Sequence, residues 1–118
     1  MHELSIATAL VERVQEVARR HGDAPVRTVR IRVGELAGVV PDALRFSFGL
    51  ARAGTAADAA LLLVEEVPAR ARCEPCGTAF AVGTPPFLWC PGCDTPASGV
   101  VSGRELEITA VELDEGAL

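Results

Sequence analysis

Two Cys-x-x-Cys turns constrain the fold of this chain more than any other feature. They read Cys73-Glu74-Pro75-Cys76 and Cys90-Pro91-Gly92-Cys93, and the sequence contains no other cysteine. Two such turns supply four soft thiolate ligands for one closed tetrahedral metal site, and zinc is the first choice of metal. Rubredoxin-like iron is one alternative, because sulfur ligands alone do not exclude it. A pair of disulfides is the other.

A closed four-thiolate site leaves no coordination position for water or substrate, so it predicts a structural metal rather than a catalytic one. The only histidines are His2 and His21, which are too few and too scattered for a hydrolytic zinc site. The sequence also lacks a Gly-rich phosphate loop and a His-Glu-x-x-His helix. These features argue against an enzyme.

The charge balance argues against a nucleic-acid partner. The formal net charge is −5, and the cysteine segment has few cations beyond Arg70, Arg72 and Arg104. Nucleic-acid binding normally needs a basic face that releases phosphate counterions. No apolar run approaches the ~20 residues of a membrane span, and the start lacks the basic-then-apolar layout of a secretion signal. We therefore expect reduced thiols, no membrane association and a cytoplasmic location.

Hydrophobic periodicity predicts two helices and three strands. The first helix covers residues 4–20 and ends at His21-Gly22, with His21 as a surface capping residue. The second begins at Pro41 and carries Asp42 in its first turn. Its broad apolar surface is predicted to comprise Leu44, Phe46, Phe48, Leu50 and Ala51. Alternation of apolar and polar residues predicts strands at 26–33, 60–67 and 105–113. The apolar face of the first helix is predicted to comprise Leu4, Ala7, Leu10, Val11, Val14, Val17 and Ala18.

The cysteine segment is rich in Pro and Gly and lacks periodicity, so we expect the metal to hold it together rather than a core of its own. The strand at 105–113 is too short to stand alone and is predicted to return to the first sheet. The predicted fold class is therefore α+β, with a small sheet of about three strands and two helices. Residues 1–68 and 104–118 form this domain, and residues 69–103 form an inserted, zinc-ribbon-like module.

The chain begins Met1-His2-Glu3, which places an imidazole beside a free amine with one backbone amide between them. The two nitrogens and the deprotonated amide can form fused chelate rings around one ion. Planar, nitrogen-rich coordination of this kind suits Ni(II) or Cu(II). From spacing alone, the alternative is that His2 is a frayed residue before a helix.

Three motifs occur in a fixed order: Met1-His2-Glu3-Leu4-Ser5, then Val33-Gly34-Glu35-Leu36, then the paired cysteine turns. This arrangement resembles the HypA/HybF family of hydrogenase-maturation nickel chaperones over essentially the whole chain. The resemblance implies a nickel metallochaperone that passes Ni(II), with a HypB-type GTPase, to the large subunit of a [NiFe] hydrogenase. It also permits supply of urease, and a homodimer.

The resemblance also implies two sets of metal ligands. Nickel would be held by the terminal amine of Met1, by His2, and by the backbone or side chain of Glu3. Zinc would be held by Cys73, Cys76, Cys90 and Cys93. Some family members use a further carboxylate before the second helix, but the matching position here is Val40, so that ligand is not carried over.

A second function remains open from the residues themselves. A zinc-ribbon adaptor would bind a protein or nucleic-acid partner and would be indifferent to nickel. The acidity of the chain and its Met-His-Glu start favour the metallochaperone.

Overall fold

Two helices and two small sheets are present in the computed structural model, which describes residues 3–83 and 85–114. The helices are α1 (Glu3–Arg19) and α2 (Pro41–Ala51). The strands are β1 (Val26–Gly34), β2 (Leu61–Val67), β3 (Arg70–Arg72), β4 (Ala79–Ala81), β5 (Gly99–Ser102) and β6 (Leu106–Leu113). The predicted helices and the three predicted strands are all present, with bounds shifted by one residue at some ends.

The first sheet has the order β2-β1-β6, so β1 is its central strand. β1 pairs in parallel with β2, and α2 makes the crossover that a parallel pair needs. β6 runs antiparallel to β1 on the other side, which confirms that this last strand returns to the first sheet. Ile31 at the centre therefore has Val64 as its neighbour on one side and Ile108 on the other.

One face of this sheet packs against the helices. Val29, Ile31 and Val33 of β1 are almost fully buried, as their alternation with arginines predicts. From the helices, the buried apolar side chains are Ala7, Leu10, Val11, Val14 and Ala18 of α1, and Leu44 and Phe48 of α2. The apolar side chains that recur every second residue in β1 thus pack against those that recur at helical spacing in α1, and they form one core.

The opposite face of the sheet is lined by ion pairs instead. The Arg32 guanidinium lies 3.4 Å from Glu65 of β2 and 3.3 Å from Glu107 of β6. Arg30 lies 3.7 Å from Glu112. Both outer strands therefore offset the positive charge of the central strand on this face.

The predicted apolar faces of the helices were too broad. Leu4 of α1 is 51% exposed, and Phe46 and Leu50 of α2 are 71% and 59% exposed. Leu4 lies at the edge of the buried stripe of α1, whereas Phe46 and Leu50 each lie two positions from the buried Phe48, on the opposite side of α2. The end of α1 is as expected, because Gly22 has a left-handed φ of 70°. The neighbouring His21 is exposed there.

The second sheet, with the order β4-β3-β5, was not predicted. Its strands are three or four residues long, too short for a period of two to be recognised. The expectation that this segment lacks a core is also wrong. Four side chains (Ala69, Ala71, Phe80 and Val82) form a small buried cluster with Cys73 and Cys90, and Leu36 from the first part of the fold packs against it.

The two sheets follow one another along an elongated molecule. Its radius of gyration is 18.0 Å, against about 13.5 Å for a compact chain of this length. The chain crosses between the sheets twice, and both crossings contact the end of β1. At the first crossing the Glu35 N–H donates to the Val67 carbonyl at 2.9 Å. At the second crossing the Gly34 N–H donates to the Glu105 carbonyl at 2.7 Å, and the Leu36 N–H donates to the Gly103 carbonyl at 2.6 Å.

Glycine is required at this junction on both sides. A Cβ atom at Gly34 would overlap the backbone carbonyl group of Gly103. Gly103 has a left-handed φ of 110°, and a Cβ there would lie 2.6 Å from the Cα of Ala69. The Val-Gly-Glu-Leu motif therefore marks the place where the backbones of the two sheets meet.

We expect Gly34→Ala to destabilise the protein by about 3 kcal/mol, because the added methyl group meets backbone atoms that have no free rotation. Gly49→Ala is the matched control, since the space around Gly49 in α2 is open. Alanine is the better helix former, so this control should stabilise the fold by up to about 1 kcal/mol. Urea unfolding of both variants measures the difference, and equal stabilities would contradict the close packing at the junction.

Candidate metal centres

The four cysteine sulfurs converge on one point at the end of the second sheet. All of them lie within 4.8 Å of one another, and no other group of three or more His, Cys, Asp or Glu ligands is found among the described residues. The Sγ of Cys73 is 3.2 Å from that of Cys93, and the Sγ of Cys90 is 3.7 Å from those of Cys76 and Cys93. Four sulfurs at 2.3 Å from a tetrahedral ion would be about 3.8 Å apart, so this donor set fits such an ion.

The two Cys-x-x-Cys pairs lie in two separate turns that have the same backbone conformation. The Cys73 N–H donates to the Thr78 carbonyl at 2.9 Å, and the Cys90 N–H donates to the Thr95 carbonyl at 2.8 Å. The residue after the second cysteine is left-handed in both turns, with φ 70° at Gly77 and φ 55° at Asp94. Glycine and aspartate are among the residues that tolerate this conformation. The two turns are therefore local copies of one structure, facing each other.

Two threonines lie beside the sulfurs and were not singled out from the sequence. The Thr78 hydroxyl is 3.2 Å from the Cys76 sulfur, and the Thr95 hydroxyl is 3.6 Å from the Cys73 sulfur. The signal was present, because both turns read Cys-x-x-Cys-x-Thr. Comparing six positions of each turn, instead of only the four of Cys-x-x-Cys, would have revealed both threonines.

The thiols are free in the structure, with sulfurs well beyond the roughly 2.05 Å of a disulfide bond. Cys73 and Cys90 are fully buried, Cys93 is partly buried and Cys76 is exposed. The buried sulfurs belong to the small core of the second sheet, so the same residues contribute to packing and to the ligand set.

The pKa values of Cys73, Cys76 and Cys93 are shifted in different directions. The Thr78 hydroxyl, followed by Cys93, lowers the pKa of Cys76 to about 6 through hydrogen bonds. The Cys76 backbone and the Cys93 side chain lower the pKa of Cys73 in the same way. Hydrogen bonds with Cys76 and Cys73 raise the pKa of Cys93 to about 12. Without a cation, the cluster therefore retains protons at neutral pH that a metal ion would displace.

We expect zinc uptake by the metal-free protein to release protons at pH 7, because at least Cys93 has to lose its proton before it can bind. Affinity should rise with pH as the thiols ionise. Calorimetric titration with Zn²⁺ in two buffers of different ionisation enthalpy counts the protons released. Buffer-independent heats, or an affinity that does not change with pH, would contradict thiolate coordination.

The other predicted metal site is only partly within the described residues. Met1 and His2 lie outside them. Glu3 is the first residue of α1, and its Oε2 accepts a hydrogen bond from the Val40 N–H at 3.3 Å. The start of α1 therefore contacts the residue that immediately precedes α2. The remaining histidine, His21, lies beyond the other end of α1.

Comparison with known proteins decides the family. The family model described as "Hydrogenase/urease nickel incorporation, metallochaperone, hypA" matches residues 1–113. This chain belongs to the HypA family. Its role is accordingly that of a nickel-incorporation metallochaperone in hydrogenase maturation.

Individual relatives support the same placement. The hydrogenase maturation factor HypA of Streptomyces avermitilis is 51% identical over 117 residues, which cover 98% of this chain and 89% of the relative. That of Roseiflexus sp. is 44% identical over 115 residues, covering 98% and 94%. The solution structure of the Ni metallochaperone HypA from Helicobacter pylori aligns with a TM-score of 0.65 at 20% identity, covering 96% of this chain and 97% of that chain.

In the part of the chain that the structure describes, neither helix is both long enough and apolar enough to cross a membrane.

Proposed function

We propose that this HypA protein binds Ni(II) through the terminal amine of Met1, through His2 and through Glu3. It then passes the ion, with a HypB-type GTPase, to the large subunit of a [NiFe] hydrogenase. The family match carries this proposal, because it runs from residue 1 to residue 113 and thus includes both the Met-His-Glu start and the two cysteine turns. The structural relative from Helicobacter pylori is a Ni metallochaperone, which supports the same cargo.

The chemistry of the terminus suits a metal that has to be given away. An amine, an amide nitrogen and an imidazole form two fused rings around a planar ion, and few side chains enclose it. An acceptor can replace these ligands one at a time. The contact between Glu3 and Val40 supports the site by fixing the start of α1, where Glu3 supplies the third residue of the proposed ligand set.

The cysteine site suits a metal that the protein retains. Four thiolates leave no open position, so we assign them a structural Zn²⁺ and no share in nickel exchange. We further propose that residues 69–103 form an inserted zinc module and that residues 1–68 and 104–118 form the nickel-binding domain. Their separate hydrophobic clusters support this division.

The remaining assignments follow from the family role. We propose a cytoplasmic protein that catalyses no reaction itself and acts through its two protein partners. The family description names urease beside hydrogenase, so urease is a second recipient consistent with the family. A homodimer is also consistent with it.

Nickel binding should require both an unblocked amino terminus and His2. We expect His2→Ala, or an uncleaved amino-terminal tag, to weaken Ni²⁺ binding at least about tenfold, because each removes one nitrogen of the chelate. Binding should also weaken as the pH falls through about 8 and 6.5, the ordinary pKa values of the amine and the imidazole. Titration of tag-free protein with Ni²⁺ measures the affinity.

The matched control is His21→Ala, which removes the only other histidine and should leave nickel affinity unchanged. Zinc content should be normal in all variants, and His2→Ala should keep the native melting temperature. A His2→Ala or tagged protein that bound nickel as tightly as the native chain would overturn the terminal site. Loss of binding in His21→Ala instead would move the site to the far end of α1.

The identity of the structural metal is tested by measuring the metal content of the protein and by replacing single cysteines. We expect about one zinc per chain, and Cys76→Ser or Cys93→Ser should lose it, because three thiolates no longer close the tetrahedron. The second sheet should then unfold while the first sheet stays folded, since the larger core lies among other residues. Elemental analysis, circular dichroism and Trp89 fluorescence follow these changes. Iron in place of zinc, or two disulfides, would contradict the assignment.

A further inference from the structure

A groove of about 420 Å³ lies where the two sheets meet, and no metal ligand predicted for the chain lines it. We call it the junction groove. It is bounded by the end of β1 at residues 33–35, by Val39 and Pro41 beside the start of α2, and by residues 66–68 in the first crossing between the sheets. Its size is within the usual range of pockets that bind small molecules or side chains.

The groove opens beside the start of α1. Val40 lies between the two lining residues Val39 and Pro41, and its N–H donates to the Glu3 carboxylate. An occupant of the groove would therefore be adjacent to the residue that begins α1. The groove is linked to nickel transfer only through this position beside Glu3, and that link rests on the proposed function.

The walls of the groove are fixed by one backbone–backbone and one backbone–side-chain hydrogen bond. The Glu35 N–H donates to the Val67 carbonyl at 2.9 Å, and the Ala69 N–H donates to Oε1 of Glu35 at 2.8 Å. Pro41 and Pro68 add two rings with fixed backbone φ angles. A groove with such walls is already shaped before binding, which lowers the entropic cost of association.

Its charge is negative. Glu66 is an exposed carboxylate on the lining, and no arginine or histidine among the described residues lines the groove. Glu35 also lines it, but its carboxylate is already engaged by the Ala69 N–H. Among the described residues Glu66 has no ion pair, whereas its neighbour Glu65 contacts Arg32 on the other face of the sheet. The start of α2 would favour an anion, but Asp42 lies in its first turn and Glu3 accepts from the Val40 N–H. Phosphates, nucleotides and carboxylates are therefore disfavoured.

The walls between the carboxylates are apolar. Val39 and the two prolines present the accessible apolar surface, and the buried Val33 and Val67 lie behind it. A ligand that matches this lining needs an aliphatic stem and a positive end. Arginine has both, and its planar guanidinium can form two parallel hydrogen bonds to a carboxylate.

We propose that the junction groove binds an arginine side chain presented by a protein partner. The three-carbon stem of the arginine lies against Val39 and the two prolines, and its guanidinium meets Glu66 at the rim. The site thereby gives this face of the protein a preference for basic partner segments.

The test uses N-acetyl-arginine amide as the probe and backbone amide shifts of the zinc-loaded, full-length protein as the readout. We expect saturable shifts at Gly34, Glu35 and Glu66, which weaken as salt is added because the contact is between charges. N-acetyl-norleucine amide has a similar stem without the charge, and N-acetyl-glutamate amide has the opposite charge. Both should bind more weakly than the arginine probe.

Glu66→Gln should weaken binding of the arginine probe by about fivefold, the effect of one exposed ion pair. Glu12→Gln is the control, because it removes the same charge from the exposed side of α1 and should change nothing. Equal shifts with norleucine, tighter binding of the glutamate probe, or no effect of Glu66→Gln would overturn the proposal. Mg²⁺ shifting the same residues at lower concentration than arginine would also overturn it, in favour of a cation site. The titration contains no nickel, so its outcome is independent of the terminal site.

Discussion

The contact between two glycine backbones at the junction sets the form of this protein. Gly34 ends the central strand of the first sheet, and Gly103 follows the last strand of the second sheet. Because neither has a side chain, both crossings can hydrogen-bond to the end of β1, and Leu36 reaches the small core of the cysteine segment. The orientation of the metal-binding end relative to the helices thus depends on two positions where no other residue fits.

Much of the first sheet could be predicted from the sequence, because its elements are long enough to repeat their pattern. α1 has four turns and β1 has nine residues, so burial follows the apolar spacing. The second sheet could not be predicted, since strands such as Arg70–Arg72 show one buried residue and no period. The exposure of Phe46 could have been predicted, because it lies two positions from both Leu44 and Phe48 and therefore on the opposite side of the helix.

The cysteine site and the junction groove also differ in how far they could be predicted from the sequence. The cysteine site was predictable because its four ligands lie in two local turns whose spacing determines their geometry, and only the neighbouring hydroxyls of Thr78 and Thr95 were missed. The junction groove was not predictable, because its lining comes from three separate segments that meet only in the folded chain. In the sequence, Glu66 is one of two acidic residues near the end of a predicted strand, and no pattern marks it as part of a groove. Its isolation from arginine is apparent only once Glu65 and Arg32 are seen to pair on the other face.

A protein that carries one metal and keeps another has to prevent the two from exchanging. Ni(II) and Zn(II) both bind thiolates and imidazoles, so ligand type alone separates them poorly. The fold offers a spatial solution, because the cysteine sulfurs are held by the second sheet and α1 begins on the first. Two of these sulfurs are completely buried, and their backbone turns are closed by hydrogen bonds, which slows ligand exchange there. A metal that must leave is then best held away from the cysteine site, and in the proposed scheme Met1, His2 and Glu3 hold it at the start of α1.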